Sequence, residues 1–310
     1  MGDLVKKTGL KQFSPAGEGI SIDYIDHVKG ILSRIMPSRK LSQGEAAAML
    51  NVPESHLESL LEEKKLPLVL NGTGRKVRYR DVMNYKASRD RQRQEGLVQL
   101  AAMTQECDNR YIHPVRIFQG YAKPLNPVPT TVLLDANILY PFYTRDVFLN
   151  FFVGGLIRAH WTECILAKWI GSTSRKLPNN IDSILRQENR MREDYPEAMV
   201  TGFEHHIESL HLPDPDDRHV LAAAIQCGTR YIVTEDMGDF PGEYLAQFGI
   251  EPLGPGAFLG MIWDRCPNEA RKVLLKVRGN YRNPPFNMSG FLELLHGINM
   301  GEIAVRLGEA

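Results

Sequence analysis

Asp135, Asp217, Asp236 and Asp239 each stand where an apolar run ends or a helical pattern begins. Thr131-Val132-Leu133-Leu134 is a short β-type run that stops on Asp135 and turns through Ala136-Asn137. Tyr231-Ile232-Val233-Thr234 repeats the plan and leads into Glu235, Asp236 and Asp239. Between them, Asp214-Pro215-Asp216-Asp217 precedes the run Val220 to Ile225, which reads as a helix with acids in its first turn. In open α/β sheets, ligands collect beyond the carboxyl ends of the strands, so folding is expected to gather these carboxylates at one sheet edge. A cluster of hard oxygen donors there suits a divalent metal ion. Asp214 and Asp216 are expected to cap or face solvent, because Pro215 fixes a turn between them.

The elements that must position these groups alternate from Thr131 onward between apolar strands and helical patterns, the signature of a parallel sheet with helices on its faces. Helices are expected over Asp146–His160, Thr162–Ile170 and Asp217–Gly228. A chain of 310 residues exceeds the usual single domain, so two are expected. Lys plus Arg equals Asp plus Glu at 37 each, so overall charge points to no partner. Its distribution does: Lys64, Lys65, Arg75, Lys76, Arg78, Arg80, Lys86, Arg89, Arg91 and Arg93 crowd one stretch against Asp81 and Asp90, a pattern suited to phosphate contact.

Cys107, Cys164, Cys227 and Cys266 are scattered without metal or redox spacing and read as reduced thiols. The most apolar window, Val147 to Ile157, is too short to span a bilayer and contains Asn150, and no signal-peptide pattern opens the chain. A soluble cytoplasmic protein without membrane contact is expected. There is no internal repeat.

Four segments follow: an extension at residues 1–40, with a possible helix over Ile20–Ile35; a small domain at 41–106; a Pro-containing linker at 107–130; and a large domain at 131–310. In the small domain, Ser42 and Glu45 form a capping-box pattern ahead of Ala46, Ala47, Met49 and Leu50. Asn51-Val52-Pro53 makes a tight turn, and Glu54 to Lys64 reads as a second helix with Leu57, Leu60 and Leu61 inward. Leu66 to Tyr79 reads as a hairpin with Arg75, Lys76 and Arg78 on its return strand. Helical patterns follow from Asp81 and over Arg89–Glu106. This segment resembles the excisionase-like winged helix-turn-helix family, which implies DNA binding through the second helix, where His56 lies, and through Arg75, Lys76 and Arg78 of the wing. Glu54, Glu58, Glu62 and Glu63 depart from that plan, since an acidic helix repels phosphates.

The later motifs also form a set: Leu134-Asp135-Ala136-Asn137, Trp161-Thr162-Glu163, Asp214-Pro215-Asp216-Asp217-Arg218-His219, Ile232-Val233-Thr234 with Asp236 and Asp239-Phe240-Pro241, and Arg282-Asn283-Pro284-Pro285. Together they resemble a PIN domain of the branch that includes VapC-like toxin ribonucleases. The resemblance implies a PIN-like α/β fold and RNA phosphodiester hydrolysis with Mg²⁺ or Mn²⁺. It also implies that Asp135 and Asp217 hold the metal, that Asp236 or Asp239 completes the site, that Asn137 and Thr234 support these ligands, and that the chain pairs with a second copy. Where the family carries an acid, this chain has Lys168. Glu163, one turn earlier, is the candidate replacement and joins Asp135, Asp217 and Asp236 as a catalytic candidate.

His219 reads as structural, because water activated by a cation needs no imidazole. His205 and His206 read as surface residues, and Trp161 and Trp169 as core anchors. The whole is expected to be a fused toxin–antitoxin protein whose N-terminal part restrains the ribonuclease, with Arg110 or Arg116 of the linker competing with metal for the acids. The alternative is a PIN domain that has lost catalysis through Lys168 and serves as an interaction or regulatory module.

Overall fold

Residues 39–71, 74–107, 129–176 and 181–309 are described by the computed structural model. The expected helix over Ile20–Ile35, the turn at Gly72-Thr73 and Arg110 and Arg116 lie outside the described residues.

The chain begins with β1 (Lys40–Leu41), α1 (Gln43–Leu50), α2 (Glu54–Glu62), β2 (Leu68–Asn71), β3 (Gly74–Arg78) and α3 (Tyr79–Cys107). Both halves of the capping box form: Ser42 Oγ accepts from the Glu45 amide at 3.2 Å, and Glu45 Oε2 accepts from the Ser42 amide at 2.8 Å. Asn51 ends α1 in the left-handed region, with φ of 55°, a conformation that Asn tolerates better than most residues. The strands form an antiparallel sheet in the order β1-β3-β2. Leu41, Leu50, Leu57, Leu60, Val77 and Val82 meet in a small core.

The helical patterns after Asp81 and Arg89 prove to be one 29-residue helix. α3 serves two cores: Val82 belongs to the small one, whereas Leu97, Leu100 and Ala101 are buried in the large one. Gly96 explains how α3 fits there. A Gly inside a helix costs about 1 kcal/mol relative to Ala. A Cβ at this position would lie 2.3 Å from Asp194 Oδ2, so the bare backbone permits the approach. Gly96→Ala is therefore expected to destabilise the fold by on the order of 1–3 kcal/mol, against its gain in helix propensity. Urea unfolding checks this, and a raised midpoint would count against close packing here.

The large body continues through β4 (Thr130–Leu134), α4 (Ala136–Leu139), α5 (Phe142–Val153), β5 (Ile157–His160), α6 (Glu163–Lys176) and α7 (Ile181–Asp194). It then runs through α8 (Glu204–Ile207), a 3₁₀ turn at Pro215–Asp217, α9 (Arg218–Gln226), β6 (Tyr231–Val233), α10 (Gly242–Leu245) and β7 (Glu251–Leu253). It closes with α11 (Pro255–Arg265), α12 (Pro267–Asn280), α13 (Met288–Gly297) and α14 (Gly301–Glu309). The four strands are all parallel in the order β5-β4-β6-β7, with helices packed around them, the α/β architecture expected. Trp161 and Trp169 are fully buried, as expected of core anchors. No helix among the described residues is long and apolar enough to cross a membrane.

One element differs from expectation. The helix proposed over Asp146–His160 starts at Phe142 and stops at Val153. Gly154 and Gly155, the latter at φ of 74°, break it, and Ile157–His160 pairs with β4 as an edge strand.

The small core and the sheet are joined by buried charge. Arg93 pairs with Glu197, and its Nε donates to the Asp194 carbonyl at 2.8 Å while the guanidinium lies 5.3 Å from the Tyr195 ring centroid. Burial raises the Glu197 carboxyl, but Arg93 and Arg89 outweigh it and hold the group below the usual range. Arg89 Nη1 donates to the Leu50 carbonyl at 2.8 Å, and the Asn51 side chain bridges the β5 edge, donating to the Ile157 carbonyl and accepting from Arg158. The basic stretch is thus split in function. Arg75, Arg78, Arg80 and Arg91 are exposed, whereas Arg89 and Arg93 bind the chain to itself.

Candidate active site

β4 and β6 are neighbours in register, with Leu134 opposite Val233, so both chains turn away from the sheet at the same level. The Asp135 amide donates to the Val233 carbonyl at 3.1 Å, and the Thr234 amide to the Leu253 carbonyl at 3.1 Å. The side chains that follow make one network. Asp135 Oδ1 accepts from the Ala136 amide at 2.6 Å, while its Oδ2 accepts from Thr234 Oγ1 and Asn137 Nδ2, each at 2.9 Å. Asn137 Nδ2 also donates to Asp236 Oδ2 at 3.0 Å, and Asn137 Oδ1 accepts from the Glu235 amide at 3.2 Å. One neutral side chain therefore ties the two strand ends together.

Asp135, Asn137 and Asp236 line an open cleft of about 680 Å³ with Ala136, Tyr140, Lys168, Trp169, Asp214, Asp217 and Asp239. Burial, opposed by the Thr234 and Ala136 hydrogen bonds and aided by the Asp217 charge, pushes the Asp135 carboxyl up to about 6. Asp239 is also raised, by desolvation and by the charges of Asp217, Asp236 and Asp214. Lys168 Nζ lies 2.8 Å from Asp217 Oδ1 and donates to the Asp216 carbonyl at 2.9 Å. Asp214 caps the 3₁₀ turn, accepting from the Asp216 amide at 2.8 Å, as its turn position suggested.

Asp135, Asp217, Asp236 and Asp239 thus share the cleft, and Asn137 and Thr234 join Asp135 to Asp236. Glu163 does not reach it. Its carboxylate is more than half exposed and pairs with Arg192 of α7, because the start of α6 turns toward that helix. Lys168 occupies the place where an acid was expected. His219 does not line the cleft; burial and then Lys168 lower its imidazole to about 4, so it is neutral at pH 7. His205 is exposed and its ring lies 3.9 Å from that of His206.

His56 is half-buried rather than presented by α2. Burial lowers its pKa, and Glu197, Arg93 and Arg89 of the joint between the two cores face it. Arg75 and Arg78 are exposed on β3, with Lys76 partly covered.

A brace beneath the cleft escaped the sequence reading. Fully buried Arg145 donates to Asp146 Oδ1 at 3.1 Å and to Thr104 Oγ1 at 3.3 Å, and its guanidinium lies 5.3 Å from the Trp169 ring centroid. Asp146 Oδ2 accepts from Thr104 Oγ1 and from the Tyr281 hydroxyl, each at 3.0 Å. The last turns of α3 thereby support the wall that carries Trp169. The only sequence signal was a charged pair heading the apolar run Val147–Phe152.

The donor set fits a hard divalent ion in kind, since it consists of carboxylate oxygens around an open cleft. It is divided, however. Among the described residues no three His, Cys, Asp or Glu side chains converge into a ready cage. Asp135 and Asp236 share Asn137, while Asp217 is turned to Lys168.

Over 79 residues the chain is 35% identical to a Mycobacterium tuberculosis protein named "Putative ribonuclease VapC50". The match covers 26% of this chain and 47% of that protein, so the chain spans about half the length of the curated relative it matches, and over this stretch it is VapC-like. No family model matches the chain, and no solved structure matches it.

Proposed function

We propose that the cleft is a divalent-cation-dependent ribonuclease site of PIN type, hydrolysing RNA phosphodiesters, on a chain that also carries a DNA-binding, antitoxin-like module. The observation that carries this is the pairing of Asp135 and Asp236 through Asn137 Nδ2, at 2.9 and 3.0 Å. A neutral donor holds two carboxylates side by side and leaves their other lone pairs for a cation. Mg²⁺ or Mn²⁺, when bound, would offset the charge that repels a phosphodiester and polarise the attacking water and the leaving oxygen. The chain's own groups do the positioning. Thr234 and the Ala136 amide orient Asp135, Asn137 orients Asp236, and the Lys168 ammonium neutralises part of the Asp217 side.

Support for RNA as substrate comes from the similarity to a protein named as a ribonuclease. Support for DNA as partner is the exposed Arg75 and Arg78 on β3. The cleft lining comes from residues 135 to 239, so the described N-terminal module leaves its mouth open.

The Lys168–Asp217 ion pair favours a second reading, a PIN domain without catalysis. Incubating the full-length chain with single-stranded RNA in Mn²⁺ or in EDTA decides between them. The full chain is required, because α3 supplies part of the large core. Cleavage that needs Mn²⁺ supports the enzyme; no cleavage by wild type, with cleavage gained in Lys168→Glu, supports the second reading. Asn137→Ala is expected to weaken Mn²⁺ binding by about ten- to a hundredfold with the fold intact. Calorimetric titration checks this, and unchanged affinity would remove Asn137 from the site.

A further inference from the structure

Lys168 divides the cleft electrostatically. Its Nζ sits 2.8 Å from Asp217 Oδ1 and 2.9 Å from the Asp216 carbonyl, and it is the one cationic side chain in the lining among the described residues. These bonds use two of its three N–H donors. Asp135 and Asp236, by contrast, receive only neutral donors: Ala136, Asn137 and Thr234. One side of the cleft therefore holds a cation in direct contact, whereas the Lys168 charge reaches Asp135 only at longer range. The split accounts for the lack of a single closed cage.

We propose that the Lys168 ammonium is a built-in cation standing in for one divalent ion, so that the cleft takes a single ion on the Asp135–Asp236 side, with the third Lys168 N–H directed to a phosphate oxygen of the substrate. This deepens the ribonuclease reading and rests on it. A tethered ammonium supplies charge and hydrogen bonds at a fixed place, but it lacks the open coordination positions of a metal ion. Lys168 is thus a positioning residue for the Asp217 side and a contact for the substrate phosphate.

The test counts ions on the full-length chain. Mn²⁺ is titrated calorimetrically, with free Mn²⁺ followed by electron paramagnetic resonance, into wild type and the variants Lys168→Arg, Lys168→Gln and Lys168→Glu, each first shown to unfold cooperatively. Wild type and Lys168→Arg are expected to bind one ion. Lys168→Glu, which replaces a cation with a carboxylate, is expected to bind a second ion or to bind the first at least about tenfold more tightly. Lys168→Gln should fall between. Two ions in wild type, identical binding in all four, or no binding in any of them overturns the proposal. RNA cleavage separates this from the broader reading. Cleavage with identical binding in all four sinks the Lys168 role alone, whereas the expected ion counts without cleavage sink the ribonuclease and leave the cation role standing.

Discussion

Asp135→Asn is expected to lower Mn²⁺-dependent RNA cleavage by at least about a hundredfold while making the protein more stable at pH 8 in EDTA. Both effects follow from one environment. Asp135 is 6% exposed, and burial holds its carboxyl at about 6 against the ordinary 3.8. The folded state thus binds this proton more tightly than the unfolded state does. The ionised carboxylate opposes folding fully above pH 6, and that penalty fades as pH falls toward 3.8.

The shift sets a ceiling on the order of 3 kcal/mol for the gain at pH 8. An amide would place one donor against Asn137 Nδ2, so a net gain of about 1 kcal/mol is expected. Urea unfolding at pH 8 and pH 4 reads the difference, which should fall by on the order of 2 kcal/mol at the lower pH and reverse sign, because the ionisation penalty fades while the misplaced donor stays. A variant that cleaves RNA like wild type, or is less stable at pH 8, contradicts the assignment.

Arg93→Met is expected to produce the largest loss of stability, about 3–5 kcal/mol at pH 7. The Glu197 side chain is 1% exposed and loses its paired guanidinium, leaving a buried charge. A loss of that size approaches the whole stability of many domains. It should also loosen the joint between the two cores, because Arg93 holds the Asp194 carbonyl at 2.8 Å. Adding Glu197→Gln should recover much of the loss, since a neutral amide costs less to bury. Unfolding midpoints of the single and double variants decide the matter. A single variant within about 1 kcal/mol of wild type would show that the ion pair is not what joins the two parts.

The carboxylate cleft was legible because a strand that ends on Asp followed by Asn carries its geometry locally. Asp135 and Asn137 act within one turn, and the parallel pairing of β4 with β6 brings Thr234 and Asp236 to them. The capping box at Ser42 and Glu45 was legible for the same reason.

The joint between the cores was not. Arg93 and Glu197 lie 104 residues apart, and charge density along the chain does not reveal which cations face inward. The partial burial of His56 was equally hidden, since it is set by the surface across from α2 rather than by α2 itself. Glu163 looked available because helical spacing gives the direction of a side chain only relative to its own helix, and Arg192 comes from another. The helix assigned across Asp146–His160 failed at Gly154-Gly155, where an apolar run of mixed period hid the change from helix to strand.

Diffraction from crystals of the full-length chain soaked in Mn²⁺, with the anomalous signal used to locate the ion, tests the central claim most directly. A single peak coordinated by Asp135 and Asp236, with Lys168 still on Asp217, is the expected result. No peak in the cleft, or a peak that these two aspartates do not touch, would contradict the assignment of the cleft as a divalent-ion-dependent site.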